Sequence, residues 1–336
     1  MKKNLSLIII ILIFLLSGCS MIASNYDVAT EPGNDEPIIV QIPKGSSTSG
    51  IAQILLNNGL ILNEKAFSTR AQELGMDVKF QAGQYSLNKS MDMSTIIDII
   101  GNGKVFKDTF TFTIPEGYEL NQIKSLLEEK GYINIIEFEK ALDRTLYDFD
   151  FLNYVEGNFN FEGYLFPATY TFEKGTSEIE IINEMLKSFN NIFKEEYYSR
   201  LEELNMSLNQ VITLASIIER EASVDKDRPL ISSVFHNRLA EEIPLGSCAT
   251  IQYILGERKA VLTIADTQIK SDYNTYIYKG LPPAPIASPG EESIRAALYP
   301  DETDYLYFQV DYRVNDGTHF FAKTLKEHED FKRTYR

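Results

Sequence analysis

The sequence predicts an α+β fold: small strand–turn–helix modules, then a larger mixed α/β domain. Three observations predict it. Two short strands, Ile39–Ile42 and Thr109–Ile114, each run into a Pro and a Gly and then into a helical pattern. A long stretch, Leu208–Ser223 (LNQVITLASIIEREAS), carries the 3.6-residue apolar period of a helix. Near the C-terminus, Asp316-Gly317 separates two apolar runs and reads as a hairpin turn.

The 336 residues suffice for two or three domains, and a hydrophobic content of 44% supports an ordinary core. A net charge of −16 excludes the basic footprint that nucleic acid requires. There is no Trp, and the 19 Tyr and 20 Phe serve sugar stacking and core packing equally well. The two cysteines, Cys19 and Cys248, make no disulfide framework. His236, His319 and His328 are scattered without metal-ligand spacing, so neither a metal nor a cofactor is expected.

Lys2 and Lys3 precede an apolar run, Leu5–Leu16, broken only at Ser6 and followed by Ser17-Gly18-Cys19. This is the plan of a secretory signal. The quartet LSGC resembles the bacterial lipobox, which implies lipidation of Cys19. The competing reading extends the run through Ala23 as one transmembrane anchor of about 20 residues. Either reading places the rest of the chain outside the cytoplasmic membrane. Residues 1–19 are therefore a lipoprotein-type signal or membrane anchor, and 20–37 a flexible linker without periodicity.

Residues 38–105 read as a first module: the strand Ile39–Ile42, helices Ser49–Asn57 and Glu64–Leu74, strand Gln81–Leu87 and helix Ser94–Ile100. Residues 106–155 read as a second. The series Ile42-Pro43, Gly45, Ile51, Leu55, Gly59, Ile61 returns 72 residues later as Ile114-Pro115, Gly117, Ile123, Leu127, Gly131, Ile133. A strand–turn–helix unit is thus present twice, either as two related binding or spacer modules or as a common connection met twice. Neither copy carries a catalytic constellation.

Residues 156–336 hold the chemistry. FEGYLFPATY at 161–170 is an aromatic loop and strand, and helices follow at Ile179–Lys194 and Glu196–Leu204. Ser177 with Glu180, and Ser207 with Gln210, have capping-box spacing. In Leu208–Ser223 the apolar arc leaves Thr213, Ser216, Arg220 and Ser223 on the polar face, with Glu219 and Glu221 at the two edges. A carboxyl half-desolvated at such an edge is raised in pKa and can donate a proton near neutrality. The competing reading is two boundary residues whose heads reach water, and periodicity does not choose. Helix continues at Val234–Leu239, and Pro244–Tyr253 turns into a short helix. A stiff four-proline loop, Gly280–Gly290, leads into a helix with Ser288 as cap, Pro289 in the first turn and Glu291 three after the cap. Strands Tyr305–Val310 and Thr318–Ala322 flank the hairpin, and Thr324 with Glu327 caps a last helix.

These residues resemble the endolytic murein transglycosylases of the MltG (YceG-like) family. The resemblance rests on FEGYLFPATY, LASIIEREAS at 214–223, Asn237-Arg238-Leu239, YNTYIYKGLPPAPIASPG at 273–290, and YLYFQV followed by GTHFF. More loosely, 38–155 resembles the family's LysM-like region. The resemblance implies a lyase that cleaves the β-1,4 bond between N-acetylmuramic acid and N-acetylglucosamine inside nascent peptidoglycan strands, leaving a 1,6-anhydro end. It implies that Glu219, in the A-S-I-I-E segment, is the catalytic acid. Glu221, Gln252, Tyr273, Asn274 and Tyr276 become candidates for binding acetamido sugars, each with a structural role as the alternative; His319 is a weaker one. It also implies membrane-bound wall-synthesis enzymes as partners. The family segment P-L-Q-S-D-P-T departs here, with Gly246, Cys248 and Ala249 in place of Gln, Asp and Pro. The remaining alternatives are a non-catalytic peptidoglycan-binding lipoprotein that scaffolds wall synthesis, and a muramidase that uses water.

Overall fold

The computed structural model describes residues 26–155, 160–259, 261–314 and 316–335. The lipobox-like quartet, Cys19 and the candidate anchor lie outside these. Among the described residues no helix is long and apolar enough to cross a membrane. The chain divides into two compact units, with the boundary between Asp108 and Thr109.

The first unit runs β1 (Ile38–Ile42), α1 (Thr48–Asn57), α2 (Glu64–Glu73), β2 (Gly83–Leu87) and α3 (Met93–Gly101). β1 and β2 pair antiparallel, with Val40 opposite Tyr85 and Ile38 opposite Leu87. Strand alternation turns Val40, Ile42, Tyr85 and Leu87 inward, onto Ile51, Leu55, Phe67 and Ile96 of the helices. Short polar caps start each helix: Ser47, Asn63 and Asp92 accept the backbone N–H of Gly50, Ala66 and Thr95.

The second unit opens with the echo of the first. β3 (Thr109–Thr113) leads through Gly117 into α4 (Leu120–Glu129), and Ile123 and Leu127 are buried just as Ile51 and Leu55 are in α1. The second copy does not form a core of its own. β3 pairs antiparallel with β4 (Thr169–Glu173), Thr113 opposite Thr169. Phe112, Leu120, Phe138 of α5 (Ile135–Ala141) and Phe151 share one core with the helices that follow. Residues 106–155, read from the sequence as a small module, therefore contribute a strand and two helices to the larger unit. On the outer face of the sheet, Thr111 and Thr113 meet Thr171 and Thr169 in hydroxyl pairs of 2.9 and 2.8 Å.

Next come α6 (Glu178–Ile192), α7 (Glu195–Leu204), α8 (Leu208–Glu221), α9 (Arg228–Ala240), α10 (Cys248–Leu255) and α11 (Glu291–Leu298). The hairpin β5 (Tyr307–Val310) and β6 (His319–Ala322) and the last helix α12 (Leu325–Tyr335) complete the unit. α8 is its centre. Thr213 and Ser216, expected on a polar face, are fully buried. Every residue from Val211 to Ile218 is buried, and Ser216 Oγ donates to Thr213 O at 2.7 Å and accepts Ile286 N–H at 3.0 Å. Close loop packing also depends on Gly163, where φ is +85° and an added Cβ would fall 2.5 Å from Pro285.

The helix expected to start at Ser288 starts at Glu291, with Gly290 as N-cap. Ser288 is instead held in a strand-like exchange: Gly117 N–H donates to Ser288 O, and Ser288 N–H donates to Tyr118 O, both at 2.8 Å.

Candidate active site

The last turn of α8 carries Glu219, Arg220 and Glu221, which at about 100° per residue leave the helix in three directions. Each meets a different environment, and the differences decide what each can do.

Glu219 is enclosed, with 7% of its side chain exposed. Its Oε1 accepts Arg228 Nη1 at 3.2 Å and its Oε2 accepts Gly290 N–H at 3.0 Å. Arg228 also donates to Ser293 Oγ at 2.6 Å and to Asp225 Oδ1 at 3.2 Å. Glu116 packs on Gly290 so closely that an added Cβ there would fall 2.1 Å from its Oε1. Burial, then the neighbouring Glu219 charge, raises Glu116 above the usual carboxylate range. Glu219 thus ties α8 to α9 and to the start of α11, and both of its oxygens are occupied by protein donors.

Arg220 pairs with Glu119 Oε1 at 2.8 Å and reaches Gln252 Oε1 at 3.4 Å. Beside it, Glu162 accepts Leu120 N–H at 3.0 Å and Tyr253 Oη at 3.4 Å, and burial pushes its pKa up to about 7.

Glu221 lines a cavity of about 360 Å³. Its Oε1 accepts Ser247 Oγ and, at 3.3 Å, Ala249 N–H at the start of α10, which Ser247 Oγ also caps. Its Oε2 accepts no hydrogen bond among the described residues. Ser247 and Cys248 from the start of α10, Tyr276 from the long loop, and Phe308, Gln309 and His319 from the β5–β6 hairpin share the lining. Cys248 Sγ lies 3.1 Å from Tyr276 Oη. His319 Nδ1 is 2.9 Å from Asp227 Oδ2, which also accepts the His319 backbone N–H at 2.7 Å. A carboxylate only accepts, so Nδ1 carries a proton and, in the neutral ring, Nε2 is the acceptor.

The sequence expectations therefore separate. Glu221, Tyr276 and His319 meet in the cavity. Glu219, expected as the acid, is outside this lining, and each of its oxygens accepts one hydrogen bond from the protein. Asn274 is fully buried and closes its own loop, with Nδ2 donating to Thr267 O and Ile269 O and Oδ1 accepting Tyr276 N–H. Gln252 Nε2 donates to Lys259 O at 3.0 Å, and Tyr273 packs on Tyr253 with ring centres 5.1 Å apart. Neither Gln252 nor Tyr273 lines the cavity. Arg238 holds the hairpin's approach by donating to Leu306 O at 2.6 Å and Leu245 O at 2.7 Å, while Asn237 donates to Thr303 O and Tyr305 O. Sequence reasoning missed Ser247, although its place before a short helix marks it as a cap. It also missed Arg228 and Gln309, for which no local signal exists.

A helix-borne carboxylate with one open oxygen, in a cavity walled by hydroxyl, imidazole and aromatic groups, is the layout of an acid–base enzyme. The chain belongs to the YceG-like family, whose model matches residues 40–334. It is 37% identical to the endolytic murein transglycosylase of Bacillus subtilis (strain 168), over 96% of this chain and 91% of that protein. To the endolytic murein transglycosylase of Streptococcus pneumoniae (strain D39) it is 30% identical over 87% of this chain, spanning 57% of that longer protein. The crystal structure of a YceG-like protein from Listeria monocytogenes superposes with a TM-score of 0.57 at 36% identity, covering 88% of this chain and 99% of that one.

Proposed function

We propose that this protein is an endolytic murein transglycosylase and that Glu221 is its catalytic acid and base. The observation that carries the assignment is the open Oε2 of Glu221 in the cavity, against the doubly occupied carboxylate of Glu219. Protonated Glu221 donates to the glycosidic oxygen as the bond from C1 of N-acetylmuramic acid breaks and the N-acetylglucosamine hydroxyl leaves. The muramyl 6-hydroxyl then closes on C1, its proton returns to Glu221, and a 1,6-anhydro end forms without water. Because the nucleophile is internal, the second carboxylate of a hydrolytic glycosidase pair is not needed. Ser247 and the start of α10 hold the carboxyl in place, and the His319 and Tyr276 groups stand around the developing oxocarbenium ion. Glu219 becomes a positioning residue that fixes the end of α8.

The rest of the enzyme follows the same reading. The β–α–α–β order of the first unit supports a LysM-like glycan-binding role for residues 38–105. Cleavage of wall strands supports a catalytic unit outside the cytoplasmic membrane, and the basic, apolar and LSGC pattern of residues 1–19 supports a lipid or transmembrane anchor beside membrane-bound wall-synthesis enzymes. No structural observation favours the non-catalytic scaffold.

The test is mass spectrometry of uncrosslinked glycan strands after incubation with the full chain, Glu221→Gln and Glu219→Gln. Anhydro ends from the native protein and from Glu219→Gln, but not from Glu221→Gln, support the assignment. Reducing ends would indicate a muramidase, and anhydro ends from Glu221→Gln would return the role to Glu219.

A further inference from the structure

Two buried polar atoms that make no hydrogen bond among the described residues belong to residues of the Glu221 cavity: Gln309 Nε2 and His328 Nδ1. The other three such atoms are hydroxyls of Thr213, Ser232 and Ser288, none of which lines that cavity. Buried polar atoms normally find partners, because a dry, unpaired donor or acceptor costs free energy. Both atoms are enclosed in the cavity wall, and a rotation of the Gln309 or His328 side chain would present them to a ligand in the cavity.

The chemistry of the wall narrows the ligand. Lys332, one turn beyond His328 on α12, joins the same lining. Its neighbouring acid, Glu329, is 4.0 Å away, at the outer limit of an ion pair. Burial lowers His328, leaving a neutral ring with one donor and one acceptor nitrogen at neutral pH. Amide, imidazole and ammonium thus form a donor-rich, cationic corner in a chain of net charge −16. Sugar hydroxyls donate as readily as they accept and gain little from a cation. A ligand rich in carbonyls and carboxylates gains from all three groups. In peptidoglycan, that arm is the peptide attached through the lactyl group of muramic acid, the sugar whose C1 is attacked.

We propose that Gln309, His328 and Lys332 form a subsite for the peptide stem of the muramyl residue at the scissile bond, so that the enzyme selects peptide-bearing over stripped strands. The proposal rests on the transglycosylase reading. The hairpin and α12 then do more than wall the cavity: they read the substituent that distinguishes the two alternating sugars, and so set which bond is presented to Glu221.

The experiment uses the full chain in detergent on two strand preparations of matched length, one with stem peptides and one stripped by an amidase. For the native protein, KM is about tenfold lower on peptide-bearing strands. Lys332→Met raises that KM about five- to tenfold and leaves kinetics on stripped strands within about twofold, and Lys332→Arg retains most of the preference. Activity on stripped strands is itself the folding control. Variants that change both substrates equally, or neither, overturn the subsite. A native protein that makes anhydro ends from neither preparation overturns the transglycosylase reading, and the subsite with it.

Discussion

Glu219 and Arg228 form an enclosed ion pair, Oε1 to Nη1 at 3.2 Å, that bridges the end of α8 and the start of α9. Removing one member leaves the other charge buried without its partner. Arg228→Ala is expected to cost about 3–5 kcal/mol of stability. Lys326→Ala, which breaks the exposed pair with Asp330, is expected to cost under about 1 kcal/mol. Urea denaturation of the two variants checks the contrast.

Glu221→Gln is expected to lower kcat about 10²- to 10⁴-fold with little change in stability, since the amide fits the same space. Ser247→Ala, which removes a donor to Glu221 and the cap of α10, is expected to lower both. The loss of the cap alone costs about 1 kcal/mol. Steady-state kinetics beside thermal melts separates the two effects.

Gly290→Ala tests a contact instead of a backbone requirement, because φ at Gly290 is −75°. The new methyl pushes aside the carboxyl of Glu116, the flexible end of that side chain, next to the Gly290 N–H that Glu219 accepts. A drop in both stability and kcat is expected. Glu116→Ala in the same chain is expected to restore much of the stability, a coupling that a double-mutant cycle measures.

Glu162 predicts a pH dependence. Burial raises its folded pKa to about 7, above the ordinary carboxylate value it has when unfolded. Between those values the folded state holds the extra proton, so stability falls as pH rises from about 4.5 to about 7 and is level above that. The Glu162 contribution to that slope should be lost in Glu162→Gln. Chemical denaturation at a series of pH values, compared between the two proteins, checks it.

What could be read from the sequence was what neighbouring residues decide. Ser177 with Glu180, Ser207 with Gln210 and Thr324 with Glu327 make their capping contacts as the spacing implied. The strand–turn–helix echo is real in both copies. The errors came where distant chain decides. Ser288 looked like a helix cap until its backbone paired with residues 117 and 118. Periodicity placed Glu219 and Glu221 symmetrically at the edges of one arc. Only Arg228 and Gly290 on one side, and Ser247 and the hairpin on the other, break that symmetry, and none of these is close enough in sequence to leave a local signature.

The order in which the chain is made gives the hairpin and α12 another consequence. Glu221 is synthesised well before His319 and His328, which line the same cavity. A chain emerging from its N-terminus completes the helix that bears the acid long before it completes the pocket around it. A chain cut short before the hairpin would keep the carboxylate of Glu221 and lose the pocket around it.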